Sequence, residues 1–132
     1  MEINLDQQMN LYGLNKNFDE LKTLYKNNKL PCQILLSGQK GSGKSTLAFH
    51  FINFILSENE DYPYDLDKCE INGENRSYKL IKNNVHPNFN LIDIKDNKKT
   101  IDINQVRNLI QNLNKSSFNE KPRFVLIDNL EY

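Results

Sequence analysis

Apolar residues recur at spacings of three and four over residues 14–28, where Leu14, Phe18, Leu21, Leu24 and Tyr25 share one stripe of a helix that Pro31 ends. Residues 33–37 (QILLS) are a short apolar run before a glycine, the pattern of a parallel strand buried on both faces. Helical spacing returns over 45–57 with Leu47, Ala48, Phe51, Ile52, Phe54 and Ile55. Residues 58–87 break this rhythm. They are polar, rich in Asn, Tyr and charge, and read as a long variable loop with a short helix over 78–83. Weak alternation over 88–94 (Phe89, Leu91, with Ile92) predicts a second strand, and 96–99 a turn. Asp102 caps a helix whose stripe is Ile103, Val106, Leu109 or Ile110, and Leu113. After a loop over 116–123, FVLI at 124–127 predicts a third buried strand, ending at Asp128. Strands alternating with helices define an α/β domain with a parallel sheet.

The junction of the first strand and the second helix carries chemistry. Residues 38–45 read Gly-Gln-Lys-Gly-Ser-Gly-Lys-Ser and fit GxxxxGK[ST] at every specified position. Glycines at 38, 41 and 43 allow backbone angles that other residues resist and let amides approach phosphate oxygens. The head of the following helix adds its positive dipole end. Gly38, Gly41, Ser42, Gly43, Lys44, Ser45 and Thr46 are therefore the candidate nucleotide-binding residues, with Lys44 reaching the outer phosphates and the Ser45 hydroxyl on Mg²⁺. A second acid is needed to hold the metal, and Asp128 stands at the C-terminal edge of its strand, where parallel sheets bind ligands. Asn129 follows it. Asn takes up no proton as a carboxylate does, so the pattern favours binding over fast hydrolysis, with Glu131 reading equally as a base that swings in and as a helix-start acid.

Composition narrows the partners. The 132 residues hold 17 Lys plus Arg against 17 Asp plus Glu, and a net charge of zero argues against a dedicated polyanion binder. Cys32 and Cys69 lie far apart and form no CxxC pair, so neither a disulfide framework nor a zinc site is expected, and a reducing cytoplasm fits. The N-terminal MEINLDQQMN has no basic region and no apolar run, so no signal peptide is expected. The greasiest stretch, residues 47–56, contains His50 and Asn53 and is too short for a bilayer of ~30 Å.

Residues 11–48, the stretch VHPNFNLIDI at 85–94 and the stretch IDINQVRNLIQNLNKSSFNEKPRFVLIDNLEY at 101–132 resemble the clamp-loader AAA+ proteins of bacterial DNA polymerase III, the delta-prime type above all. The resemblance spans nearly the whole chain and is weakest over 58–85. It implies an AAA+ P-loop nucleotide-binding domain that is incomplete: a three-layer sandwich with a parallel sheet whose C-terminal strands are missing, since relatives continue past the second acidic motif. The strand that relatives place between the phosphate-loop strand and the Asp128 strand would be among those absent. The resemblance also implies ATP and Mg²⁺ as ligands, a hetero-oligomer with other clamp-loader subunits, and contact with the sliding clamp and primed DNA through that assembly. Many relatives carry a four-cysteine zinc module after the phosphate-loop helix; only Cys69 lies there. Residues 11–14 are either a turn about Gly13 or, by resemblance, the wall of an adenine pocket. A hydrolysing motor subunit of the same loader and a small-molecule or nucleotide kinase are the alternatives, the first opposed by Asn129 and the second by the lack of a clear acceptor-binding set of Arg and Asp.

Overall fold

The computed structural model describes residues 11, 13–31, 33–36, 43–83, 85–93, 107, 111 and 121–128. Three helices, α1 (Asn15–Lys26), α2 (Lys44–Leu56) and α3 (Arg76–Lys82), precede two strands, β1 (Phe89–Asp93) and β2 (Phe124–Asp128). The strands pair in parallel, in register from Phe89 opposite Phe124 to Asp93 opposite Asp128. A parallel pair needs a long crossover. Of that connection residues 107, 111 and 121–123 are described; Arg107 and Gln111 are helical and exposed, and the rest of the expected helix after Asp102 lies outside the described residues.

The core is built around α2. Every residue from Leu47 to Leu56 is buried, as expected for a helix that is apolar on all sides. α1 covers it through Phe18, whose ring lies 5.3 Å from Tyr64, 5.8 Å from Phe54 and 6.5 Å from Phe51. Phe89 of β1 meets Phe49 at 5.9 Å. On β2 the side chains alternate: Phe124 and Leu126 pack on the core, whereas Val125 and Ile127 are 37% and 38% exposed. Among the described residues, no helix is long and apolar enough to cross a membrane.

One expectation fails. Residues 33–36 form no strand, and Ile34 and Leu35 are 46% and 78% exposed. An apolar run becomes a strand only when a neighbour accepts its backbone hydrogen bonds, and the described sheet is the β1–β2 pair alone. The small α/β architecture is present; the described residues do not make a three-layer sandwich.

The long loop is packed rather than loose. Tyr64, Cys69 and Ile71 are buried against α2. The two polar residues within the buried stretch of α2, His50 and Asn53, organise the loop. His50 Nδ1 shares a 2.7 Å hydrogen bond with the Tyr64 hydroxyl, and burial pushes the Tyr64 phenol well above its usual value, with the Cys69 and Asp65 charges adding to the effect. Asn53 and Asn75 pair their amides reciprocally, at 3.2 and 3.4 Å. The Asn75 side chain also caps α3 by accepting from the Tyr78 amide at 2.8 Å, and donates to the Tyr62 carbonyl at 2.9 Å. The helix expected over 78–83 therefore starts earlier, at Arg76, where this cap sets it. Of the loop tyrosines, Tyr64 and Tyr78 are core residues and Tyr62 is exposed.

Candidate functional site

The described part of the glycine motif stands at the head of α2. Gly43 adopts φ +89°, the left-handed conformation, and is the residue from which the helix starts. Lys44, Ser45 and Thr46 form its first turn, half-buried, and the first intrahelical bond runs from the Leu47 amide to the Gly43 carbonyl at 2.9 Å. Amides of a first turn point outward along the axis; the motif also includes Gly38, Gly41 and Ser42. Those three residues, with Lys40, lie outside the described residues.

Leu14 closes one side of this turn. A Cβ built on Gly43 would lie 2.9 Å from Leu14 Cδ1. Leu11 is buried and donates its amide to the Cys69 carbonyl at 3.2 Å, and Gly13 turns the chain at φ +73°. Leu14, just after the turn at Gly13, thus approaches the head of α2. Gly43→Ala combines an unfavourable φ with this contact, and an expected loss of about 1–2 kcal/mol is checked by denaturant unfolding.

Asp128 closes β2 in register with Asp93. The direction of β2 relative to α2 follows from two contacts. Lys121, just before β2, places its ammonium on the Leu56 carbonyl and, at 2.7 Å, the Glu58 carbonyl, both at the C-terminal end of α2. Phe124 stands opposite Phe89, which meets Phe49 in mid-helix. β2 therefore runs back along α2. Four further residues, at about 3.3 Å each, carry the β2 backbone on to Asp128 in the direction of the Lys44 end.

At the opposite end of α2 lies a pocket of about 230 Å³ lined in part by Glu58, Glu60, Arg76, His86 and Lys121. Glu60 and His86 of its lining bond to the buried Ser77 behind it, but the imidazole's hydrogen bonds run the wrong way for it to activate that hydroxyl. His86 Nδ1 accepts the Asn88 amide at 3.0 Å, which leaves the proton on Nε2, 3.2 Å from Ser77 Oγ. Ser77 Oγ donates to Glu60 Oε2 at 2.6 Å. The imidazole lone pair is already used and the hydroxyl faces a ring N–H, so His86 is not positioned as a base for Ser77. The cluster instead fastens α3 and the loop to the turn that starts β1.

Protonating His86 would set a new N–H against the Asn88 amide. Burial lowers its pKa below the ordinary histidine value; Lys121 and Arg76 push the same way and Glu60 opposes them. The unfolded chain then binds more protons than the native one below pH ~6.5. Stability is expected to fall as pH drops from there toward the folded pKa, by at most about 1.4 kcal/mol per pH unit from this group. His86→Gln should flatten that segment of a stability–pH curve measured by urea unfolding.

Among the described residues, no three His, Cys, Asp or Glu side chains cluster as metal ligands. Sequence reading missed Lys121, Asn88 and the His50–Tyr64 and Asn53–Asn75 pairs. The available signal was two polar residues inside an otherwise apolar helix, each of which requires a buried partner.

The family described as "DNA polymerase III, delta subunit" matches residues 13–132. With the match extending over nearly the whole chain, the protein belongs to that family of DNA polymerase III subunits. A comparison with curated proteins finds no match.

Proposed function

We propose that this chain is the ATP-binding domain of a delta-prime-type clamp-loader subunit of DNA polymerase III. It binds ATP with Mg²⁺ and turns it over slowly or not at all. It works in the cytoplasm within a hetero-oligomer of clamp-loader subunits that loads the sliding clamp at primed DNA. The observation that carries this reading is the left-handed Gly43 at the head of a helix buried from Leu47 to Leu56, with Lys44 and Ser45 in its first turn, in a chain of this family.

The residues fit the ligand chemically. Lys44 and the dipole of α2 supply positive charge for a triphosphate. Ser45 and Asp128 supply the hard oxygen donors that Mg²⁺ prefers. Mg²⁺ would neutralise phosphate charge; the chain's own part would be to orient the phosphates through Gly38, Gly41, Ser42, Gly43 and Thr46 and to hold the metal through Ser45 and Asp128. Asn129 lacks the carboxylate that would take a proton from an attacking water.

Titration of the chain with a fluorescent ATP analogue in Mg²⁺ tests the reading: saturable binding displaced by ATP is expected, and none would end it. Turnover is expected to be at background, and Asn129→Glu to raise it about tenfold or more, read by phosphate release.

A further inference from the structure

The geometry points to Asn72 as a site of self-modification, whose side-chain amide closes on the Gly73 nitrogen and is converted to aspartate and isoaspartate. Residues 72–73 are the one Asn-Gly pair of the 132-residue sequence. Asn72 is exposed, in the turn that leads into α3. A glycine in second place puts no Cβ beside the attacking nitrogen. The turn adds to this in three ways. The Glu74 amide donates to Asn72 Oδ1 at 2.9 Å. The ring that this hydrogen bond closes contains both Asn72 Cγ, the atom attacked, and the Gly73 nitrogen, the atom that attacks. The Gly73 amide takes part in no hydrogen bond among the described residues, so no acceptor competes for its proton.

The chemistry balances with water alone. Hydroxide takes the Gly73 amide proton and the nitrogen adds to Asn72 Cγ. Negative charge collects on Oδ1, where the Glu74 N–H already donates and so stabilises the oxyanion. The Cγ–Nδ2 bond then breaks, Nδ2 takes a proton from water and leaves as ammonia, and a cyclic imide remains. A second water opens the imide at either carbonyl. One opening gives aspartate in the ordinary chain, the other isoaspartate with the chain rerouted through Cγ. Either way the protein gains a negative charge. The turn also gives the product a structural readout. The Asn72 carbonyl accepts the Asn75 amide at 3.0 Å. Asn75 is fully buried, caps α3 at the Tyr78 amide, donates to the Tyr62 carbonyl and pairs with Asn53 of α2. Aspartate keeps the acceptors of the turn. In isoaspartate the carbonyl that received the Asn75 amide becomes part of a side carboxylate and a methylene enters the backbone, so the join between loop and α2 loosens.

The full chain is incubated at pH about 8.5, folded and in urea, and peptide mapping by mass spectrometry follows the amide-to-acid conversion at Asn72. Because the folded turn supplies the oxyanion donor, the folded rate is expected to stay above about a third of the unfolded rate. A lower folded rate overturns the inference, since the turn then protects the amide. Gly73→Ala is expected to slow the folded reaction about tenfold, and an unchanged rate overturns the role of the bare nitrogen. Asn72→Ser keeps an oxygen acceptor but has no amide to cyclise. After the same incubation the unsubstituted chain is expected to unfold at lower urea in proportion to its isoaspartate content, and Asn72→Ser to be unchanged. An equal loss in both chains overturns the link between this turn and the join to α2.

Discussion

Lys44→Ala lowers Mg-ATP affinity by about a hundredfold or more, measured by displacement of a fluorescent nucleotide. The estimate is about 3 kcal/mol, the upper range for a charge-assisted hydrogen bond, because Lys44 is the lysine that the matched motif specifies for the outer phosphates. The substitution leaves the hydrophobic core untouched: Lys44 is half-buried and sits before the fully buried stretch of α2. Unfolding free energy is therefore expected to change by less than about 1 kcal/mol. Unchanged nucleotide affinity in a folded Lys44→Ala protein would refute the phosphate cradle.

Phe18→Ala is the largest stability effect, a loss of about 3–5 kcal/mol in urea unfolding. Phe18 is 1% exposed and the sole fully buried residue of α1. Its ring stacks on Tyr64 at an interplanar angle of 25° and meets Phe51 and Phe54 edge-on. One side chain thus joins α1, α2 and the long loop. Removing it leaves a cavity between three segments that cannot all close in. Because Tyr64 also holds His50, the loop is expected to loosen with α1. A loss under about 1 kcal/mol would show that the three segments are held by other contacts. Phe18→Leu, which keeps much of the volume, should recover about half.

How much was legible depended on which interactions make each element. The stripes of α1 and α2 were readable because helical hydrogen bonds are local and the apolar period reports the buried face directly. β1 and β2 were readable as apolar runs bounded by polar turns. Residues 33–36 carry the same kind of signal and yet form no strand, since pairing is supplied by a neighbour, not by the run itself. The loop over 58–75 looked structureless because its order comes from side chains distant in sequence: His50 with Tyr64, Asn53 with Asn75, and Glu60 with Ser77. The same holds for the candidate site. Gly43, Lys44 and Ser45 were legible as a motif, whereas Lys121 looks like any loop lysine until the fold sets it on the end of α2.

The sequence by itself determined the two helical stripes, the two parallel strands, the glycine motif and the acid that follows FVLI, because each is written in short-range spacing and residue type. Tertiary structure alone decided that α2 would be buried on every side, that the polar loop would fold onto it, and that Lys121 would tie the base of β2 to the far end of that helix. Those outcomes depend on which distant groups share the interior, where an unpartnered polar atom is too costly to leave, and no local pattern records that choice.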